Sequence, residues 1–165
     1  MIIHSKSLVH NHQCTAALLC CMDFRFWKAT VNYLQNTLGI YDFDLITHAG
    51  AAKVLAEKET DSIDILEKHI VLAKKLHKIS MVVIVNHQDC GAYGGSGKFK
   101  NQNDESDHHS KHIKSGIELL QKKHKDLKYT GLFAYFNRFG GIDFKRIDLP
   151  DGNRRRVKKI KTLKI

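Results

Sequence analysis

The feature that most constrains the fold is a short apolar run, MVVIV, at positions 81–85. Short runs that are rich in β-branched residues are typical of strands buried on both faces of a parallel sheet. The run ends at Asn86, and His87 and Cys90 follow it with two residues between them. The sequence therefore predicts an α/β fold in which an imidazole and a thiol lie at the carboxyl end of a central strand.

His87 and Cys90 are residue types that bind zinc, and Gly91 allows the chain to turn tightly into a helix after them. A cysteine near a helix N-terminus has a lowered pKa, which favours the thiolate form that binds metals. One such pair is only half of a zinc site, however, and a core histidine beside an inert cysteine would have the same spacing. A metal site therefore requires further ligands from another part of the chain.

A second buried strand is predicted at Thr15–Met22, and the polar residues Asp23 and Arg25 follow it. Open α/β sheets bind ligands at the carboxyl ends of their strands, so chemistry is expected here. Successive side chains of a strand point to opposite faces, and Cys20 and Cys21 therefore cannot both reach one site. Because Cys21 is nearer the strand end and shares a side with Asp23, we predict Cys21 as a ligand and Cys20 as a core residue.

The rest of the chain alternates helical and strand patterns, which favours a mostly parallel β-sheet flanked by helices. Apolar residues at helical spacing predict helices at 26–38, at 60–78 and around Ile113, Ile117 and Leu120. Strand patterns predict strands at 44–48, 130–136 and 142–147, the last of them a C-terminal antiparallel edge strand.

Two connecting segments have distinctive compositions. The small residues AGAA at 49–52 predict that the backbone passes close to a neighbouring helix or ligand. The segment 94–110 is rich in Gly, Asn, Asp and Ser, which predicts a long loop. His108 and His112 are four residues apart and could bind a metal from one helix face, but we interpret them as solvated residues at a helix start.

The chain is predicted to form one domain with two extensions. We assign 1–14 to an N-terminal arm, 15–150 to a zinc-binding α/β domain and 151–165 to a basic C-terminal tail. Residues 145–165 carry nine Lys or Arg and two Asp, which is a net charge of +7 out of +10 for the whole chain. The body is therefore not expected to bind nucleic acid, and any such binding would reside in the tail and weaken with salt.

The composition also predicts the compartment. Four cysteines in a chain of 165 residues indicate a reducing compartment and metal or catalytic use rather than a disulfide framework. The sequence contains no apolar run of the roughly 20 residues that a membrane span needs. Its first residues have no signal-peptide pattern. We therefore expect a cytoplasmic protein that does not enter a membrane.

Cys21, His87 and Cys90 are predicted to converge at one edge of the sheet, because they follow two parallel strands. Two thiolates and one imidazole leave the fourth position of a tetrahedral zinc ion open, as in catalytic zinc sites. Zinc in such a site lowers the pKa of bound water towards neutrality. Asp23 and Arg25 alternate with Cys21 and are expected beside the metal, with the arginine keeping the carboxylate ionised. A surface ion pair is the alternative interpretation of these two residues.

The segments CMDFR at 21–25 and HQDCG at 87–91 resemble the Cys-x-Asp-x-Arg and His-x-x-Cys-Gly motifs of the β-class carbonic anhydrases. The resemblance extends over roughly residues 15–147. It implies a β-carbonic anhydrase-like fold and an enzyme, carbonate dehydratase (a lyase), that uses Zn²⁺ to hydrate carbon dioxide reversibly to bicarbonate through zinc-bound hydroxide.

The resemblance also implies roles for individual residues. The metal ligands would be Cys21, His87 and Cys90, and the catalytic dyad would be Asp23 and Arg25. The backbone N–H of Gly91 would steady bound bicarbonate, since amides at a helix start favour anions. The family is built on dimers with active sites near the subunit interface, so a homodimer or a multiple of it is expected.

One segment departs from the family pattern. Where the family would have a sequence similar to Arg-Asn-Ala-Gly-Asn, this chain has THAGA at 47–51, with His48 in the place of an asparagine. A related zinc hydrolase that acts on carbon disulfide or carbonyl sulfide therefore stays open as an alternative. A non-catalytic zinc protein that binds a partner through its basic tail is also open, and it would need a fourth protein ligand to close the zinc site.

Overall fold

The computed structural model describes residues 12–149, so the predictions for residues 1–11 of the arm and for the tail lie outside the described residues. The described chain folds around one five-stranded sheet. Its strands are β1 Ala16–Cys20, β2 Phe43–Thr47, β3 Met81–His87, β4 Lys128–Phe136 and β5 Ile142–Ile147. Its α-helices are α1 Trp27–Asn36, α2 Ala52–Glu57, α3 Thr60–Leu72 and α4 Gln102–Lys123.

Three shorter helical turns complete the described chain. A π-helical turn, Ala73–His77, continues α3, and two 3₁₀ turns, Gly91–Tyr93 and Ser96–Lys98, follow β3. No helix within residues 12–149 is both long and apolar enough to cross a lipid bilayer.

The strand order is β2-β1-β3-β4-β5. β1 is parallel to β2 and to β3, and β3 is parallel to β4, whereas β4 and β5 are antiparallel. The predicted fold class, a mostly parallel sheet flanked by helices with a C-terminal antiparallel edge strand, is confirmed. In this order the carboxyl ends of β1 and β3 lie side by side, and the predicted metal ligands follow these two ends.

Apolar side chains cover both faces of the sheet, which explains why its central strands are apolar throughout. Ala17 and Leu19 of β1 belong to a buried cluster with residues of α2, α3 and α4. Leu18 and Cys20, which point the other way, belong to a second cluster with Leu34 of α1. Burying a leucine side chain contributes about 1.5–3 kcal/mol, so packing on both faces holds the strand ends in position.

Several predicted boundaries shift in the structure. β1 ends at Cys20 rather than at Met22, and β3 runs through His87 because its pairing with β4 continues to that residue. The predicted helix 60–78 is α-helical only as far as Leu72 and then continues as the π turn.

The prediction of a long loop at 94–110 is wrong. Helix α4 begins at Gln102, and the side chain of Asn101 accepts a hydrogen bond from the backbone N–H of Asp104 at 3.0 Å. Asparagine is a preferred residue at this capping position, and acidic residues favour the first turn of a helix. The Asn- and Asp-rich composition therefore marks the start of a helix rather than the middle of a loop.

The small residues at 49–52 lead into α2, which is too short to show a helical period in the sequence. Gly50 has φ +76° and Ala51 has φ 44°, so the backbone turns sharply before the helix. A Cβ atom added to Gly50 would lie 3.1 Å from the Cβ atom of Ala92. The predicted close approach of this segment is confirmed, and its neighbour is the 3₁₀ turn that follows Cys90.

Candidate metal centre

Cys21, His87 and Cys90 meet at the carboxyl end of the sheet. Each offers one metal-binding atom, and these atoms lie within 4.8 Å of one another, with 4.0 Å between the two Sγ atoms. Cys21 directly follows β1, His87 ends β3, and Cys90 precedes the turn Gly91–Tyr93. All three residues are buried. The structure thus brings together the three side chains that the sequence pattern selects as ligands.

The imidazole of His87 is oriented for metal binding. Its Nδ1 lies 2.7 Å from the backbone oxygen of Gln88, which can only accept, so Nδ1 carries the hydrogen atom. In the neutral imidazole Nε2 then has the free lone pair, and this atom is buried with no hydrogen-bond partner among the described residues. The ring also stacks on Phe26 at 4.3 Å between centroids. A metal-bound histidine commonly has this arrangement, in which a carbonyl group holds the second ring nitrogen.

The thiols of Cys21 and Cys90 share a hydrogen bond, which shifts their pKa values in opposite directions. The hydrogen bond from Cys90 lowers the pKa of Cys21, and the same contact together with burial raises the pKa of Cys90. The contact between the two sulfur atoms thus favours one thiolate beside one thiol. Cys21 and Cys90 would both bind a metal ion as thiolates, since coordination deprotonates a thiol. The donor set of two sulfurs and one unprotonated imidazole nitrogen fits a zinc ion.

Cys20, the neighbour of Cys21, points into the apolar core on the α1 side of the sheet. It is 3% exposed, and burial raises the pKa of its thiol to about 12. The two adjacent cysteines therefore have opposite surroundings, as the alternation of strand side chains predicts.

Asp23 and Arg25 lie beside this cluster and form a close ion pair. Asp23 Oδ1 accepts from the backbone N–H and the Nε–H of Arg25 at 2.9 and 3.0 Å, and Oδ2 accepts from the Nη2–H at 2.7 Å. These hydrogen bonds hold the pKa of Asp23 below its ordinary value. Asp23 Oδ2 is also 3.9 Å from His87 Nε2. An ionised, oriented carboxylate therefore faces the candidate metal position.

Arg25 makes a second ion pair that the sequence interpretation missed. Its Nη1 donates to Asp89 Oδ2 at 2.9 Å, and its Nη2 donates to the backbone oxygen of Asp89 at 3.1 Å. Two hydrogen bonds lower the pKa of Asp89: the larger effect comes from the backbone N–H of Ser96 and the smaller from the side chain of Arg25. Asp89 occupies a left-handed conformation, φ 55°, between the two candidate ligands His87 and Cys90. The arginine thus ties the segment after β1 to the segment after β3.

Glu105, in the first turn of α4, holds the segment that follows β3 through hydrogen bonds to Asp89 and Ser96. It is 1% exposed, and its Oε1 and Oε2 accept from the Asp89 N–H and the Ser96 hydroxyl, each at 2.7 Å. A buried carboxylate is costly unless it is hydrogen-bonded, and these two donors satisfy it. The sequence analysis missed Glu105 because it assigned this position to a loop; the acidic first turn after Asn101 was the signal that could have found it.

A second buried network surrounds Asn86, the residue before His87. Its Oδ1 accepts from the backbone N–H of Ala52 at 3.0 Å, and its Nδ2 donates to the hydroxyl of Tyr93 at 3.0 Å. Asn86 Nδ2 also lies 3.1 Å from Nδ1 of the fully buried His109. The network joins the end of β3 to α2 and α4, and it fixes the position of the strand end relative to both helices.

The interpretation of His108 and His112 as solvated residues is wrong. Both are half-buried, and Nδ1 of His112 lies 3.1 Å from the hydroxyl of Tyr93. Their rings pack against one another with 4.4 Å between centroids. Neither belongs to a group of three metal-binding side chains within residues 12–149.

Gly91 and His48 flank the centre in different ways. Gly91 is exposed, and no atom lies within 4 Å of the place where a Cβ would be. The space where a side chain would be is therefore open. His48 follows β2, where its backbone N–H donates to the oxygen of Cys20 at 3.0 Å and its Nδ1 donates to the oxygen of Ala49 at 2.9 Å.

Comparison with known proteins places these observations in a family. Residues 11–139 match a family model described as "Putative carbonic anhydrase". An uncharacterised protein of Rickettsia conorii is 30% identical over 137 residues, which cover 79% of this chain and 72% of that protein.

Two solved structures share the fold. A carbonic anhydrase from Glaciozyma antarctica matches with a TM-score of 0.57 at 16% identity, over 87% of each chain. A tetrameric β-carbonic anhydrase from Sordaria macrospora matches with a TM-score of 0.50 at 15% identity, over 80% of this chain and 81% of that one. These two structures show that the chain has the fold of the β-carbonic anhydrases. The family match spans most of the sequence, and the chain therefore belongs to the carbonic anhydrase family that this model describes.

Proposed function

We propose that this protein is a zinc-dependent carbonic anhydrase that catalyses the reversible hydration of carbon dioxide to bicarbonate. The observation that carries the proposal is the buried Cys21–His87–Cys90 cluster, with its unpartnered Nε2 atom, next to the ionised carboxylate of Asp23. Membership of the carbonic anhydrase family, together with the β-carbonic anhydrase fold, gives this cluster its chemical context.

Cys21, His87 and Cys90 would hold the zinc ion and leave its fourth position open. Zinc bound there would act as a Lewis acid that brings the pKa of a coordinated water towards neutrality. The protein's contribution is to keep the three ligands buried, with the tautomer of His87 set by the oxygen of Gln88.

Asp23 is the group in this chain that would orient and deprotonate the attacking water. Arg25 holds both of its oxygen atoms, so the carboxylate stays ionised at neutral pH and cannot rotate freely. An oriented general base of this kind needs a partner that keeps it in place. Arg25 would also prevent Asp23 from moving onto the metal, because Asp89 holds the guanidinium from the other side.

Gly91 is the proposed contact for bicarbonate. Its backbone N–H is the first of the turn Gly91–Tyr93, directly after the ligand Cys90, and the space beside it is open. A peptide N–H at this position would donate to an oxygen of the anion as it forms.

Two alternative functions, a zinc hydrolase of a sulfur-containing substrate and a non-catalytic zinc protein, depend on different observations. His48, in place of the expected asparagine, supports a related hydrolase acting on carbon disulfide or carbonyl sulfide through the same zinc site. A structural zinc in a non-catalytic binding protein would require a fourth protein ligand, and the cluster within residues 12–149 contains three ligand residues. Binding through the basic tail is a prediction that lies outside the described residues.

We also propose that the protein forms a homodimer or a multiple of it. Met22 and Phe24, which flank Asp23, are 67% and 79% exposed, although both are large and apolar. Large apolar side chains that are grouped and exposed mark association surfaces. The structural relatives from Sordaria macrospora are described as tetrameric. A second subunit that covers this surface would bring the interface next to the metal centre.

We propose a cytoplasmic location because the cysteines form no disulfide bonds among the described residues. All four are free thiols in the structure, including the two that would bind zinc as thiolates. Reducing compartments keep such thiols available for metals.

The first prediction concerns metal content. We expect one tightly held zinc ion per chain, lost in Cys21→Ser and in Cys90→Ser because each substitution removes a thiolate ligand. Cys20→Ser is the matched control and should retain the zinc, since that thiol points into the core. Elemental analysis after dialysis against a weak chelator gives the count. Equal zinc content in Cys20→Ser and Cys21→Ser would show that the wrong neighbour was selected.

The second prediction concerns the reaction. The zinc-loaded protein should hydrate carbon dioxide in a stopped-flow pH-indicator assay, with a rate that rises from about pH 6.5 to 9 as the coordinated water ionises. Asp23→Asn should keep its zinc and lose about 10²–10⁴-fold in rate, the usual contribution of a general base. Asp107→Asn, an exposed carboxylate on α4, is the control and should keep the rate.

A wild-type protein that holds zinc but hydrates no carbon dioxide over this pH range would contradict the proposed reaction. The same preparation would then be assayed with carbon disulfide and carbonyl sulfide. Hydrolysis of either compound would favour the alternative that His48 supports.

The third prediction concerns assembly. Light scattering should give twice the 18.9 kDa chain mass, or a multiple of that. Phe24→Ser should shift the protein towards monomer because it removes an apolar contact at the proposed interface, whereas Ile65→Ser, at an exposed position of α3, should not. If Ile65→Ser dissociates the protein and Phe24→Ser does not, the interface lies on the α3 surface instead. A monomeric wild-type protein would contradict the proposed dimer.

A further inference from the structure

A second group of metal-binding side chains lies at the opposite end of the sheet. It consists of Cys14, Asp44 and His77, which we term the amino-end cluster. One ligand atom from each lies within 4.8 Å of the others, and all three residues are half-buried. Cys14 precedes β1 and Cys21 follows it, so an extended chain of seven residues, about 23 Å long, separates the two clusters.

Three different segments contribute to the amino-end cluster, and main-chain hydrogen bonds hold them together. The backbone N–H of Cys14 donates to the oxygen of His77 at 2.9 Å. The backbone N–H of Ser80 donates to the oxygen of Thr15 at 3.1 Å, one residue further along each segment. Asp44 lies in β2, which pairs with β1. The positions of the three side chains are therefore set by the sheet and do not depend on a surface loop.

His77 reaches this position from an unusual helical turn. Residues 73–77 form a π-helical turn at the end of α3, and Lys78 then takes a left-handed conformation with φ 56°. π turns are rare and often occur at functional sites. The turn places His77 next to β2, and both oxygen atoms of Asp44 lie 2.8 Å from His77 Nδ1.

An ion pair between Asp44 and His77 accounts for only two of the three residues. The thiol of Cys14 donates a hydrogen bond to the backbone oxygen of Ala16 at 3.5 Å, and its sulfur also lies within 4.8 Å of a ligand atom of each partner. A thiolate, an imidazole and a carboxylate together form a ligand set that suits zinc. Zinc–ligand bonds of about 2.0–2.3 Å place tetrahedral ligands on the order of 3.3–3.8 Å apart, so small side-chain movements would close the cluster around an ion.

We propose that Cys14, Asp44 and His77 form a second zinc site, separate from the candidate metal centre. The ion links the start of β1, the strand β2 and the end of the α3 segment. Only one of the three ligands is a thiolate, and all three are partly exposed. The site therefore binds zinc more weakly than the buried centre, which has two thiolates. This proposal does not rest on the reaction proposed above.

Zinc stoichiometry tests the second site. The full-length protein is dialysed to equilibrium against buffered free Zn²⁺, and bound zinc is measured by elemental analysis. We expect two zinc ions per wild-type chain and one in His77→Gln and in Asp44→Asn. His69→Gln, at an exposed histidine of the same α3 segment, and Asp42→Asn, two residues before Asp44, are the matched controls and should keep two. Circular dichroism of each variant verifies the fold.

A second measurement needs no substitution. Cys14 is half-buried, whereas the other three cysteines are buried, so its alkylation by iodoacetamide can be followed by peptide mass spectrometry. Bound Zn²⁺ should slow the alkylation of Cys14 on the order of tenfold, because a coordinated thiolate is a poor nucleophile.

Three results would each overturn the second site. They are a wild-type chain that binds a single zinc, two zinc ions retained in His77→Gln and Asp44→Asn, and an alkylation rate of Cys14 that Zn²⁺ leaves unchanged. The buried centre is tested separately, since its loss in Cys21→Ser would leave the stoichiometry at the amino-end cluster as it is.

Discussion

The pairing of β1 with β3 is the constraint on which the candidate metal centre depends. In this parallel register Cys20 lies opposite Val85, so the next residues, Cys21 after β1 and Asn86 within β3, come level with one another. A shift of one residue would turn every side chain of β1 to the opposite face. Cys21 would then enter the core and Cys20 would reach the rim. Packing on both faces of the sheet opposes this shift, and the apolar core therefore determines which thiol meets His87.

The electrostatic arrangement around the centre follows from the same strand ends. Arg25 lies between two carboxylates, Asp23 after β1 and Asp89 after β3, and it neutralises part of their charge. Glu105 holds the backbone of the Asp89 segment from α4 and is itself satisfied by two short hydrogen bonds. One cation and three carboxylates thus bind together two strands and a helix. The proposed base, Asp23, is the member of this chain of contacts that faces the cluster.

The sequence predicted the parts of the structure that depend on local patterns. Buried strands have recognisable apolar runs, and their carboxyl ends mark where ligands bind, so Cys21, His87 and Cys90 could be selected without coordinates. The sequence analysis missed residues whose role depends on distant packing. Glu105 lies in the first turn of α4, in a segment that was predicted to be a loop, and His109 is buried because α4 packs on the sheet. Cys14, Asp44 and His77 are far apart in the sequence, and no local pattern joins them.

Zinc K-edge X-ray absorption tests the central claim, that Cys21, His87 and Cys90 bind a catalytic zinc, most directly. The measurement is made on the Cys14→Ser protein loaded with one zinc per chain, so that the amino-end cluster does not contribute a sulfur. The account predicts two sulfur ligands at about 2.3 Å and two nitrogen or oxygen ligands at about 2.0–2.1 Å. A zinc environment without sulfur, or with four sulfur or nitrogen ligands from the protein that leave no open position, would contradict it.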